Sequence, residues 1–145
     1  MDEDDATVAP ADPPAGSAAA VVRAYYQDLR DGAPLYPYFR EAPTTVKFGV
    51  GERLTGYEAV EAGLRSQTEI TTDWVADSDR LVVEARGDHA WFSDDVFIAW
   101  TDTERSIRYE FDTRWSGTLV RAAGDDPEPA WLFAGMHVST AVEGR

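Results

Sequence analysis

Apolar residues recur at helical spacing near the start of the chain. They run from Ala18 through Tyr25 to Leu29 on a single face, and Gly32 interrupts the pattern. Ser17 precedes the first of them and is a good N-cap residue, because its hydroxyl can accept a hydrogen bond from a free backbone N–H. The pattern therefore predicts an amphipathic helix whose buried face includes Tyr25.

A second helical pattern follows after a short strand. β-branched residues gather over residues 44–50, which predicts the first strand, and residues 35–39 allow a short helical turn before it. After Gly56, apolar and charged residues separate onto two faces at helical spacing. This separation predicts a second helix that ends near Gln67.

The remainder of the chain has the composition of strands. Five segments are rich in aromatic and branched residues and are separated by Asp, Gly, Ser and Pro turn signals: 70–76, 81–86, 90–101, 107–121 and 131–141. Consecutive strands with short turns imply an antiparallel meander, and helices followed by strands imply an α+β domain. We expect a curved sheet wrapped around the helices, with a hollow between them where a ligand would sit.

The segment 107–121 separates two kinds of residue. Alternate positions carry one set on each face of a strand. The mainly apolar set is Ile107, Tyr109, Phe111, Thr113, Trp115 and Leu119, and the polar set is Arg108, Glu110, Asp112, Arg114, Ser116 and Thr118. The alternation does not say which face meets the interior. The polar face is either a solvated outer surface with weak ion pairs or the lining of the hollow.

The composition excludes several classes of protein. The 145 residues include 13 basic and 27 acidic side chains, a formal charge of −14, and no cysteine. Disulfides and cysteine metal sites are therefore excluded, and the negative charge disfavours nucleic acid and membrane surfaces as partners. The 43% apolar content predicts one folded domain over residues 17–142, after a flexible acidic tail over residues 1–16. With no signal peptide or apolar span, we expect a cytoplasmic protein.

The basic residues are almost all arginine. Lys47 is the only lysine, against twelve arginines. An excess of acidic groups keeps a surface hydrated in concentrated salt, so the composition predicts a halophilic, salt-adapted protein. A genome rich in G and C would produce the same bias, and composition alone does not separate the two explanations.

Several short motifs occur in an order that resembles a known family. They are Gly56-Tyr57-Glu58-Ala59-Val60, Gly87-Asp88-His89-Ala90-Trp91, Asp112-Thr113-Arg114 and Met136-His137-Val138-Ser139. From about residue 18 to 140 the chain is similar to the SnoaL-like branch of the nuclear-transport-factor-2-like superfamily. The resemblance implies a cone-shaped α+β half-barrel, usually a homodimer, with a pocket at its open end. The family includes cyclases, dehydratases and isomerases, and also domains without catalysis.

Ketosteroid isomerase, in the same superfamily, implies a first set of site residues. Tyr25 and Asp112 match the positions of its oxyanion hole, in which a Tyr and an Asp donate hydrogen bonds. Its general base corresponds to a position near Phe48, whose side chain cannot exchange a proton. The chain therefore departs from this enzyme at the residue that starts the reaction.

The association domain of calcium/calmodulin-dependent kinase II is similar at residues 113–114 and 137–139. In that domain the arginine lies in the pocket, so the resemblance implies that Arg114 faces inward and holds a carboxylate with two hydrogen bonds. The alternative is that Arg114 pairs with Asp112 or Glu110, because a buried charge must find a partner.

The SnoaL-type cyclases and the related dehydratase use an Asp, sometimes with a His, as acid or base. This resemblance implies Asp112 and His137 as catalytic residues, and we expect Trp91 near the pocket mouth. His137 lies among apolar residues, so it is equally consistent with a core histidine. No set of residues indicates a metal or a cofactor, and we expect Asp94 and Asp95 to lie on a solvated surface.

Three functions follow from these residues. The preferred hypothesis is a dimeric pocket protein without established catalysis that binds a small carboxylate-bearing molecule through Tyr25, Trp91, Asp112, Arg114 and His137. The alternative is a cyclase, dehydratase or isomerase in which Asp112 and His137 exchange protons and Tyr25 holds an oxyanion. A third is a module that joins protein partners through its sheet face. Both pocket hypotheses require Tyr25, Asp112, Arg114 and His137 to converge on one cavity.

Overall fold

A computed structural model of the protein describes residues 8–141. Two helices pack against a seven-stranded sheet. The elements in chain order are α1 (Ala18–Asp31), a 3-10 turn (Tyr36–Tyr38), β1 (Val46–Gly49), β2 (Glu52–Thr55), α2 (Tyr57–Ile70), β3 (Thr71–Ser78), β4 (Val82–Arg86), β5 (His89–Asp102), β6 (Ile107–Arg121) and β7 (Trp131–Thr140). Neither helix in this part of the chain combines the length and the apolar character that a bilayer crossing needs.

Helix α1 begins and ends where its sequence predicts. The Ser17 hydroxyl accepts a hydrogen bond from the backbone N–H of Ala20 at 3.1 Å, and Gly32 closes the helix with a φ of 72° that favours glycine. The apolar face carries Val22, Tyr25 and Tyr26 into the core. Capping and patterning agree here, which explains why the prediction of this helix is confirmed.

The sheet has the order β2-β1-β7-β6-β5-β3, and β4 also pairs with β5. Every pair is antiparallel except β1 and β7, which run parallel and are separated along the chain by α2 and the five strands β2 to β6. The predicted α+β half-barrel is therefore confirmed, with a mixed sheet in place of a purely antiparallel one. The helices lie on the inner, concave face.

Strands β6 and β7 meet at an irregular point. Their register shifts by one residue between Thr118 and Leu119, and such a bulge increases the local twist of a sheet. Gly117 lies beside the bulge, and a side chain there would clash with the Gly135 carbonyl oxygen and with the Phe92 ring. The missing side chain therefore lets two strands and an aromatic ring approach closely where the sheet curves around the core.

Two elements differ from their predictions, and a third agrees with its prediction and is now specified. Helix α2 continues to Ile70, three residues past its predicted end, and the N–H of Thr71 bonds the carbonyl of Gln67. Strand β2 was not predicted, because its four residues include two charged ones and give no alternating pattern. The helical turn expected over residues 35–39 is a 3-10 turn.

The predicted tail divides into two parts. Residues 1–7 lie outside the described residues, as does residue 142 at the end of the predicted domain. Val8 forms a β-bridge with Val82, and Ala9 donates its N–H to the Leu81 carbonyl at 2.8 Å. These two positions therefore have backbone partners at Val82 of β4 and at Leu81 just before it, and the flexible acidic tail over residues 1–16 stays a prediction.

Candidate functional site

A cavity of about 160 Å³ lies on the concave side of the sheet. It is bounded by α1, the hairpin of β1 and β2, the junction of α2 and β3, and the inner faces of β5, β6 and β7. An apolar cavity of roughly 150 Å³ is large enough to bind benzene. The space therefore suits a molecule with one ring or a few carbon atoms.

Tyr25 presents a free hydroxyl to this cavity. Its ring is 1% exposed and makes edge contacts with Tyr38, Phe133 and Trp115 at 5.4, 5.4 and 6.1 Å between centroids. No described residue makes a hydrogen bond with its hydroxyl. Burial raises the pKa of Tyr25, and the carboxylate of Glu52 raises it further. The hydroxyl therefore stays protonated and can donate to an oxygen of a bound molecule.

Lys47 and Glu52 form an ion pair in the wall of the cavity. The Lys47 Nζ lies 2.5 Å from the Glu52 Oε1. Both side chains point to the concave side, because Gly49 opposes Glu52 in the hairpin and Lys47 lies two positions before Gly49. Lys47 is 6% exposed to solvent, whereas the Glu52 side chain is 30% exposed. The pair thus joins a buried cation to a partly accessible anion.

Tryptophans form the opposite wall. The rings of Trp74 and Trp100 stack at 4.8 Å and 17°, and both line the cavity. The indole N–H of Trp74 donates to the Thr71 hydroxyl at 2.8 Å, and that hydroxyl donates to the Gln67 carbonyl at 2.5 Å. These two hydrogen bonds hold the Trp74 ring in place. The side-chain amide of Gln67, by contrast, makes no hydrogen bond to any described residue. The wall offers apolar ring surface and one available amide.

These groups give the cavity a defined chemistry. Tyr25 supplies an O–H donor, Lys47 an ammonium, Glu52 a carboxylate and Gln67 an amide, all facing aromatic and aliphatic surface. Such a combination recognises a small apolar molecule through one or two polar atoms.

Of the residues predicted for the site, only Tyr25 lies in this cavity. Asp112, Arg114 and His137 are exposed on the outer face of the sheet, and Trp91 is 45% exposed on the same face of β5. Arg114 donates to the Ser139 hydroxyl at 3.2 Å. The convergence on Tyr25 that both pocket hypotheses require is therefore not found.

The outer position of Arg114 follows from the alternation of β6. Its neighbours Thr113 and Trp115 point inward, where the Trp115 indole N–H donates to the Thr113 hydroxyl at 2.8 Å and that hydroxyl donates to the Val96 carbonyl. The buried face is thus satisfied without charged groups. On the outer side, Arg114 and His137 share a shallow depression, and Asp112 borders the next one along β6. The polar face is therefore a solvated outer surface.

The prediction for Asp94 was also wrong. It was expected on a solvated surface with Asp95, but it is 4% exposed, and only Asp95 is exposed. Its carboxylate accepts hydrogen bonds from the hydroxyls of Tyr26 and Ser78 at 2.8 and 2.6 Å and from the N–H of Arg80 at 2.9 Å. Asp94 points inward because it alternates with Asp95 along β5. Within residues 8–141, no group of acidic or histidine side chains is arranged to hold a metal ion.

Lys47 and Glu52 were not among the site residues predicted from the sequence. The position of the missing base was placed near Phe48, which packs edge-on against His137 on the outer side at 6.0 Å. A shift of one residue along a strand changes the face, and Lys47 is the neighbour that points inward. One signal was available, because the chain uses lysine at a single position.

Comparisons with known proteins agree on the fold. The profile of a SnoaL-like domain family matches residues 18–143. No protein with a curated description matches the sequence. Among solved structures, a candidate dehydratase of the nuclear-transport-factor-2-like family from Streptomyces avermitilis superposes with a TM-score of 0.72 at 14% identity, over 86% of this chain and 94% of that one.

Two further structures are similar. A candidate calcium/calmodulin-dependent protein kinase II association domain from Xanthomonas campestris has a TM-score of 0.70 and 18% identity, over 94% of each chain. A ketosteroid isomerase-like protein from Erwinia carotovora atroseptica has a TM-score of 0.67 and 15% identity, over 86% of this chain and 94% of that one. At such low sequence identity, the similarity shows only that the fold is shared. Because the profile spans nearly all of the described residues, the chain belongs to the SnoaL-like domain family.

Proposed function

We propose that the protein binds a small, mainly apolar organic molecule with one polar oxygen in the concave cavity. The observation that carries this proposal is the Tyr25 hydroxyl, which is protonated, faces a space of about 160 Å³ and makes no hydrogen bond to the described residues. No side-chain polar atom of residues 8–141 is both buried and without a hydrogen bond, so this hydroxyl is accessible from the cavity and available to a bound molecule. A ligand oxygen would supply the missing bond.

The charges of the cavity favour a neutral ligand. Its cation, Lys47, is already paired with Glu52, and Arg114, from which a carboxylate-bearing ligand was predicted, lies on the outer face. A carboxylate entering the cavity would meet the Glu52 anion at close range, and like charges repel each other. We therefore infer that alcohols, amides and carbonyl compounds bind better than the corresponding acids.

Tryptophan fluorescence tests this proposal, since Trp74, Trp100 and Trp115 line the cavity. Benzyl alcohol and benzamide should quench the emission saturably and raise the melting temperature, whereas benzoate should bind more weakly. Tyr25→Phe should weaken benzamide binding about tenfold, because the lost hydrogen bond is worth about 1.4 kcal/mol. Absence of saturable binding by all three compounds would overturn the proposal.

Tyr57→Phe is the matched control. Tyr57 is half-buried and lies outside the cavity, so removal of its hydroxyl should leave benzamide affinity unchanged. An equal loss in both tyrosine variants would show that the hydroxyl of Tyr25 does not contact the ligand.

Three sequence-based expectations stay predictions. The homodimer or larger homo-oligomer is tested by light scattering, and the exposed outer face with Trp91 is the surface we propose for it. Salt adaptation is tested by unfolding at several salt concentrations, because a halophilic protein loses structure on dilution. Fractionation of the source cells tests the cytoplasmic location.

A further inference from the structure

We propose that Lys47 forms a reversible imine with the carbonyl carbon of a small aldehyde or ketone held in the cavity. The inference rests on the proposed function, because it requires that the cavity admits a small organic molecule. It adds a covalent step and a substrate class to that binding site.

The choice of lysine at position 47 is the first observation. Every other basic residue of the chain is arginine, and a structural ion pair with a carboxylate is made at least as well by the forked guanidinium. An arginine, however, does not lose its proton and cannot serve as an amine nucleophile. The chain thus uses its one ε-amine at a position that borders the cavity.

The placement of Lys47 is the second observation. Strand β1 is paired on both sides at this residue, with Leu54 of β2 and with Met136 of β7, so its backbone is held firmly. The side chain is 6% exposed and lines the cavity with aliphatic and aromatic neighbours. The amine nitrogen is therefore held at the edge of the space that a carbonyl compound would occupy.

Glu52 and Tyr25 supply the two other groups that the reaction needs. The Glu52 carboxylate, at 2.5 Å from Nζ, is close enough to take the ammonium proton directly. The Tyr25 hydroxyl, which has no hydrogen bond to the described residues, can donate one to the carbonyl oxygen and polarise the carbon.

The reaction needs only these three residues and the carbonyl compound, with no further reactant. Glu52 takes a proton from the Lys47 ammonium, and the neutral amine then forms an N–C bond with the carbonyl carbon while the C=O π electrons move to oxygen. A proton moves from nitrogen to that oxygen through Glu52, which gives a carbinolamine. The protonated Glu52 then gives its proton to the departing hydroxyl, the C–O bond breaks, and water leaves. The products are a protonated imine, one water molecule and the Glu52 carboxylate, so the ion pair persists.

A purely structural role for the pair makes the opposite prediction for reactivity. A buried lysine held by a carboxylate should react with aldehydes more slowly in the folded protein than in the unfolded chain, because folding removes its access and keeps it charged. An amine prepared for imine formation should react faster when folded, since the cavity gathers the amine, the proton acceptor and the carbonyl.

The experiment treats the full chain with benzaldehyde and sodium cyanoborohydride, which converts the imine irreversibly to a benzylamine, and follows Lys47 by peptide mass spectrometry. We expect modification to be at least about tenfold faster in the folded protein than in urea. Equal or slower modification in the folded protein, or no adduct at Lys47, would overturn the proposal. This comparison needs no variant.

Variants separate the inference from the proposed function. Lys47→Arg keeps a cation beside Glu52 but removes the ε-amine, so it should form no adduct at position 47. Glu52→Gln should slow modification about tenfold. Glu61→Gln, which breaks the exposed pair with Arg65, should not change it. Saturable binding of benzyl alcohol without an adduct overturns only the imine, whereas loss of both overturns the binding proposal as well.

Discussion

Tyr25 and Tyr26 are neighbours on α1, and both are buried, yet their hydroxyls have different surroundings. Tyr26 donates to the Asp94 carboxylate, which also accepts bonds from Ser78 and Arg80. Tyr25 faces the cavity and makes no hydrogen bond to any described residue. Burial raises the pKa of both, with Asp94 as the next cause for Tyr26 and Glu52 for Tyr25. Burial and a shifted pKa therefore do not by themselves mark a functional residue; hydrogen-bonding capacity left unused does.

The largest loss of stability should come from replacing Asp94, whose carboxylate accepts three hydrogen bonds. Asp94→Ala leaves the Tyr26 and Ser78 hydroxyls and one backbone N–H without their acceptor, so we expect a loss of about 3 kcal/mol in the free energy of unfolding. Urea unfolding measures it. Asp95→Ala, at the exposed neighbour, should stay within about 0.5 kcal/mol of the parent protein. Similar losses in the two variants would contradict the assignment of Asp94 as a structural centre.

The two tyrosines give the next effect. Tyr26→Phe removes one bond to a buried carboxylate and should lower the free energy of unfolding by about 2 kcal/mol. Tyr25→Phe removes no bond within the described chain and should change it by less than about 0.5 kcal/mol, despite equal burial. Urea unfolding of the two variants measures these losses. A larger loss in Tyr25→Phe than in Tyr26→Phe would contradict the contrast between the two hydroxyls.

Alkaline pH tests the buried hydroxyl of Tyr26 by itself. Because the folded-state pKa of Tyr26 is raised above its unfolded value of about 10, its contribution to stability is present below pH 10 and is lost as the pH rises above it. Tyr26→Phe should therefore lose less stability than the parent protein between pH 10 and 12. Circular dichroism melts across this range would show an unchanged slope if the hydroxyl were solvated.

The ion pair of the cavity should have an intermediate effect. Lys47→Met leaves the Glu52 carboxylate unpaired, but the partial exposure of that group lets water solvate it, so we expect a loss of about 1.5 kcal/mol. Combining it with Glu52→Gln should recover most of the loss, because the double variant buries no unpaired charge. Thermal unfolding of the three variants gives the coupling. Additive losses would mean that the two side chains do not interact.

The smallest effects should appear on the outer face. Arg114→Ala and His137→Ala should each change stability by less than about 0.5 kcal/mol, because both side chains are exposed. Neither should alter benzamide binding as judged by tryptophan fluorescence. A loss of affinity in either variant would return these residues to the site that the sequence predicted for them.

The sequence predicts more of the fold than of the site, and β6 explains why. Alternation correctly separates Thr113 and Trp115 from Asp112 and Arg114, because successive side chains of a strand must point to opposite faces. Which face is covered depends on the side against which α1 packs. That choice is made by contacts distant in sequence, so local pattern leaves it open.

The prediction of the site residue on β1 was wrong for a related reason. This strand has four residues, too few for an alternating pattern to fix its faces, and the catalytic position was placed near Phe48 by resemblance. A displacement of one residue separates an outward phenyl ring from the inward ammonium of Lys47. Its partner Glu52 lies on β2, a strand that the pattern did not predict.

The single lysine also makes the cavity unusually easy to observe. A sample that carries isotope-labelled nitrogen only in lysine has one labelled side chain, and that side chain lies 2.5 Å from Glu52 in the cavity wall. Its magnetic resonance signal needs no assignment, and any molecule that enters beside it changes the local field. The occupancy of the cavity can therefore be followed through one resonance in the intact protein.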